Sequence, residues 1–72
     1  MDRNETKVLI GSRIAAARKK ANLSQTDVGA RLGVHEQTVS KWERGVLTPS
    51  APQLKELCSM LSVSADYLLA LD

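Results

Sequence analysis

Gly33 marks the point that most constrains how this chain can fold. The stretch Ser24–Gly45, SQTDVGARLGVHEQTVSKWERG, predicts two short helices with a sharp turn between them. Ser24 is placed to cap the first helix, Asp27 three residues on to return the bond, and Leu23 to staple against Val28. Gly33 falls where that helix must stop, a backbone position that often needs positive φ. The second helix is expected from about Glu36, with Val34 packing on Val39, and ends before Gly45. Val28, Leu32, Val34, Val39 and Trp42 then share the inner side of the pair, and Gly29 lacks a side chain where the two helices come closest.

Three more helices surround this unit. The first is expected from about Thr6 to Ala21, where Ile10, Ile14, Ala17 and Ala21 form one apolar stripe. Residues 1–6 are expected as a flexible arm ahead of it. The fourth helix opens on Ser50, with Pro52 in its first turn and Gln53 completing a capping box, and buries Leu54, Leu57, Cys58 and Leu61. The fifth begins after Ser64, with Val63 placed to staple on Leu68 and Asp66 favourable to the positive helix end. Between helices three and four, Val46 and Leu47 are aliphatic residues in a loop. No segment alternates as a strand does. The expectation is an all-α, compact five-helix domain occupying residues 1–72.

Size and charge narrow the function. A chain of 72 residues buries only about 60% of its extended surface, so its core must be efficient. The single Cys58 excludes an internal disulfide and fits a reducing cytosol. No run approaches the ~20 apolar residues of a membrane span, and the start MDRNETK lacks the layout of a signal peptide. A cytoplasmic protein is the expectation. The net charge of +2 is unevenly spread: residues 7–44 hold eight cations against three acids, whereas residues 45–72 hold Lys55 against Glu56, Asp66 and Asp72. A polyanionic partner asks for such a concentration of positive charge; cations that merely solvate a helical face are the plainer reading.

The chain resembles the Cro/phage-repressor helix-turn-helix family, also called the xenobiotic-response-element type. The resemblance rests on Leu23-Ser24-Gln25, the small Gly29, Leu32-Gly33-Val34, Gln37-Thr38-Val39-Ser40 and above all Lys41-Trp42-Glu43-Arg44-Gly45. Ile10-Gly11-x-Arg13-Ile14 before the unit and Thr48-Pro49-Ser50 with Leu54 and Leu57 after it extend the likeness over residues 8 to 70. It implies a lambda-repressor-like DNA-binding domain that sets its third helix in the major groove of double-stranded DNA.

On that helix Glu36, Gln37, Ser40, Lys41 and Arg44 point away from Val39 and Trp42. Gln37 suits adenine, because its amide donates and accepts at once. Lys41 can reach guanine or a phosphate, and Ser40 either kind of group. Glu36 either accepts from cytosine or complements the helix dipole. Base contacts are thus assigned to Glu36, Gln37, Ser40 and Lys41. Phosphate contacts are assigned to Gln25, Arg13, Lys19, Thr38 and Arg44, although the Thr38 methyl could instead meet thymine or face a neighbouring helix. Four or five such contacts predict a log K against log[salt] slope of roughly −4 per subunit. The family also implies that Gln25 props Gln37, and that Arg18 and Glu43 form a partly buried ion pair fixing the reading helix. His35 stands where Ser or Thr is usual and is expected to cap poorly. Trp42 and Cys58 are expected in the core.

Family members usually act as symmetric dimers, so a weak homodimer on half-sites about 34 Å apart is expected. Val46, Leu47, Tyr67, Leu69 and Leu71 are assigned to the pairing surface. The leading expectation is a transcriptional repressor. The alternative is a protein-interaction module, antitoxin-like or adaptor, on the same fold. An enzyme has little support: no nucleophile–base pair or phosphate-cradling glycine loop is present. No cofactor, metal or small-molecule ligand is expected, since His35 is the only histidine and lacks a ligating partner.

Overall fold

The computed structural model describes residues 2–71 and forms five helices: α1 (Arg3–Lys20), α2 (Gln25–Leu32), α3 (Glu36–Glu43), α4 (Ala51–Leu61) and α5 (Ala65–Leu68). No strand occurs among the described residues. None of their helices is long and apolar enough to cross a membrane. Each helix starts on a side chain that satisfies one of its otherwise unpaired N–H groups. Ser24 and Ser50 form full capping boxes with Asp27 and Gln53, and Ser64 accepts from the Tyr67 N–H at 3.0 Å. The two bonds with Ser24 hold the Asp27 carboxyl below its ordinary pKa.

α1 departs from expectation at both ends. Asp2 caps it by accepting from the Glu5 N–H at 2.8 Å, so residues 3–6, expected as an arm, are helical; Met1 lies outside the described residues. At the other end Ala21 is the exposed C-cap and leaves the apolar stripe. The helix turns away there because Asn22, at φ 59°, takes the left-handed conformation that asparagine tolerates.

The core lies where α1, α4 and α5 close over the α2–α3 pair. Ile14, Val28, Val39, Leu57 and Leu68 are fully buried, joined by Ile10, Ala17, Trp42 and Leu61. Leu32, Val34, Leu54 and Cys58 pack on its margin, half-buried. Partial burial also raises the Cys58 thiol pKa, which keeps it a neutral packing group. The α2–α3 turn has the expected geometry. Gly33 sits at φ 71°, ψ 30°, and its N–H closes the helix on the Gly29 carbonyl. A Cβ on Gly29 would lie 2.6 Å from the Val34 carbonyl oxygen, so the close approach requires glycine.

α4 ends on Ser62 in the left-handed region, φ 56°, ψ 44°, its N–H bonded to the Cys58 carbonyl. A side chain is disfavoured there and glycine is not. Ser62→Gly is therefore expected to stabilise the fold by about 0.5–1 kcal/mol; urea unfolding should show a raised midpoint at unchanged slope.

Candidate nucleic-acid interface

The geometry of α3 is decided by what holds its inner face. Val39 and Trp42 insert into the core. At its C-terminal end Glu43 is gripped by two other helices. Arg18 of α1 donates from Nε and Nη2 to the two Glu43 carboxylate oxygens, at 2.6 and 3.0 Å. Gln25 of α2 donates to the same carboxylate at 3.0 Å, and Arg18 Nη1 donates to the Leu23 carbonyl at 2.8 Å. The Arg18 and Glu43 side chains are only 11% and 8% exposed. Hydrogen bonding to Glu43 outweighs partial desolvation and raises the Arg18 pKa further above its already high value. The ion pair expected from the resemblance is thus present, and it ties α1, the entry to α2 and the end of α3 together.

Gln25 corrects an expectation. Its amide is turned to Glu43, so the residue it props is the ion pair rather than Gln37.

A second device, invisible in the sequence, sets the depth of α3. Gly11 of α1 lies directly under the last turn of α3. A Cβ there would fall 2.7 Å from the Glu43 carbonyl oxygen and closer still to that of Trp42. α1 can cross α3 at this distance only because Gly11 has no side chain.

With its inner face held, α3 turns Glu36, Gln37 and Lys41 outward, all exposed. Neither the Gln37 side-chain amide nor the Lys41 ammonium is hydrogen-bonded to another described residue. Glu36 accepts from the Thr26 hydroxyl of α2 at 2.6 Å. Ser40 is half-buried, its hydroxyl accepting from Arg44 Nε at 3.2 Å, and Arg44 is exposed at the C-cap. Thr38 is half-buried, and Lys19 is exposed on the last turn of α1 beside Arg18.

His35 also departs from expectation: its Nδ1 accepts from the Gln37 N–H at 3.1 Å and caps α3. An extended backbone at φ −69°, ψ 149° brings the ring nitrogen over the first turn, so imidazole does here what a hydroxyl usually does.

Arg13 is a clearer correction. Expected on a phosphate, it donates from Nη1 to the Tyr67 carbonyl at 2.9 Å and stacks 4.9 Å above the Tyr67 ring. It fastens α1 to α5 instead.

The expected pairing surface divides in the same way. Val46, Leu47 and Leu71 are 51%, 45% and 68% exposed. Tyr67 and Leu69 are half-buried against the core of their own chain, because α5 is a single turn and needs both to anchor it. Val8, which the sequence does not single out, is 56% exposed and lies against Gly45, next to Val46. Only the α1–loop packing brings it there. Among the described residues no group of acidic, histidine and cysteine side chains could hold a metal ion.

Five helices, a tight glycine-hinged α2–α3 pair and an outward polar face on α3 define a helix-turn-helix domain. The chain belongs to the helix-turn-helix family, whose profile matches residues 14–68. It is similar to Repressor protein C2 of Salmonella phage P22, with 41% identity over 61 residues, covering 85% of this chain and 28% of that protein. The HTH-type transcriptional regulator ImmR of Bacillus subtilis (strain 168) is 33% identical over 63 residues, covering 88% of this chain and 50% of the relative. The chain therefore spans half or less of the length of these two relatives. A crystal structure of the P22 c2 repressor in complex with synthetic operator 9T superposes with a TM-score of 0.82 at 41% identity, covering 89% of this chain and 97% of that one.

Proposed function

We propose that this chain is a single DNA-binding domain that reads duplex DNA by setting α3 in the major groove, and that it serves as the operator-binding part of a transcriptional repressor. The observation that carries this reading is the contrast between the two sides of α3. Its inner side is fastened by Val39, Trp42 and the Arg18–Glu43–Gln25 network, while Gln37 and Lys41 extend outward unengaged. A helix held this way can offer amide and ammonium groups to base edges without first being ordered. The similarity to a P22 repressor bound to operator DNA supports the same reading.

Gln37, Glu36 and Lys41 are the base-reading residues in this proposal, with Ser40 beside them and Thr38 toward the groove wall. Lys19 and Arg44 supply the cations for phosphates. With Arg13 occupied by Tyr67, two such contacts give a log K against log[salt] slope of about −2 per subunit. Affinity titrations across a salt series measure that slope; a slope near zero contradicts phosphate engagement. Two copies pair weakly on a palindromic site through Val46, Leu47, Val8 and Leu71, the exposed aliphatic residues. The domain has no catalytic role in this reading and acts in the cytoplasm.

Selection from random-sequence duplex DNA by the purified chain, at fixed salt, tests the proposal. A palindromic consensus is the expected outcome. Absence of enrichment overturns it in favour of a protein-interaction module such as an antitoxin or adaptor.

A further inference from the structure

The tip of α3 holds a group that the electrostatics of DNA binding do not ask for. Glu36 is exposed at the first position of α3, and its carboxylate accepts from the Thr26 hydroxyl of α2 at 2.6 Å. No cation lies within ion-pair distance of it among the described residues, whereas the chain's other α3 carboxylate, Glu43, is paired with Arg18. Glu36 is thus aimed by a neutral donor, and no cation sits beside its carboxylate on the face meant for a polyanion. A free carboxylate there weakens attraction to phosphates. It is also a different kind of reader from Gln37, since it can only accept.

We propose that Glu36 is a cytosine-selecting residue and that Thr26 is the residue that positions it. The inference rests on the DNA-binding reading above and deepens it. In the major groove guanine presents two acceptors, thymine an acceptor and a methyl group, and adenine an acceptor beside its amine. Cytosine alone presents an amine with no acceptor on its own edge, flanked only by the O6 of its paired guanine, so its edge is the one that repels a carboxylate least. The Thr26 hydrogen bond occupies one carboxylate oxygen and leaves the other to accept from cytosine N4. Anchoring on α2, a different helix from the one that bears Glu36, restricts the side chain's rotamers before DNA arrives.

Parallel random-duplex selections with the wild-type chain and with Glu36→Gln, Thr26→Val and Thr26→Ser test this. Circular dichroism confirms that each variant retains its helices. The wild type is expected to favour cytosine about tenfold or more over guanine or thymine at one position in each half-site. Glu36→Gln keeps an acceptor for the Thr26 hydroxyl but adds a donor, so the preference at that position is expected to move from cytosine to adenine. The same variant is expected to bind a scrambled duplex several-fold more tightly, because a repelled charge is gone. Thr26→Val is expected to blunt the cytosine preference several-fold, and Thr26→Ser, which keeps the hydroxyl, to preserve it.

A wild-type consensus that Glu36→Gln leaves unchanged overturns the role of Glu36 while leaving DNA binding intact. An unchanged preference in Thr26→Val, with the shift in Glu36→Gln present, overturns the positioning role of Thr26. No enrichment with the wild type overturns this inference together with the reading beneath it.

Discussion

Gly11→Val is expected to destabilise the domain by more than about 3 kcal/mol and to leave much of it unfolded at 37 °C. A Cβ on residue 11 meets the carbonyl oxygens of Trp42 and Glu43, which are backbone atoms of the last turn of α3. A side-chain clash can relax by rotation, but here one helix must move off the other. Valine adds two methyl groups to an approach that already excludes one. The displacement would lift Trp42, which is 2% exposed, out of the core. A chain of this size is stable by roughly 4–10 kcal/mol, so such a loss removes a large share of the total. Gly11→Ala is expected to show the same effect at a lower amplitude, near the usual upper limit for overpacking of about 3 kcal/mol. Thermal and urea unfolding followed by circular dichroism measure both. Wild-type stability in Gly11→Ala contradicts the α1–α3 crossing described above.

Glu43→Ala is expected to cost about 3 kcal/mol, because it strands a nearly buried guanidinium rather than because the pair itself is strongly stabilising. Without the carboxylate, Arg18 loses two of its three hydrogen bonds and Gln25 loses its acceptor. Arg18 retains only the Leu23 carbonyl. Replacing both partners with apolar residues of similar volume, Arg18→Met with Glu43→Leu, is expected to recover most of the loss, since neither charge then remains to be desolvated. The double-mutant cycle separates these contributions. A double variant as unstable as Glu43→Ala would mean that the pair supplies net stability. Recovered stability combined with weakened DNA binding would assign the network to holding α3 in place, the role proposed for it here.

Local chemistry was the part of this fold legible in the sequence. Ser24 with Asp27, Ser50 with Gln53, and Gly33 each act through atoms within a few residues, and the structure contains all three devices. The earlier start of α1 was legible too, in Asp2 three residues before Glu5, a signal that the apolar stripe beginning at Ile10 obscures. What a sequence conceals is the partner of a long side chain. Arg13 could as well face phosphate as α5, and only the packing of α1 on Tyr67 decides it. The need for glycine at position 11 likewise arises from a helix more than 30 residues away in the chain. His35 is a milder case: whether imidazole caps a helix depends on ring orientation and tautomer, which composition does not fix.

The outward face of α3 is the surface proposed to touch bases. The most direct measurement is the affinity of the Gln37→Ala/Lys41→Ala variant for the duplex that the wild-type chain selects, at the same salt. The two side chains are exposed and unengaged, so helicity and melting temperature are expected to stay at wild-type values while affinity falls roughly 100-fold or more. A folded variant that binds the selected duplex as tightly as the wild type would contradict the account.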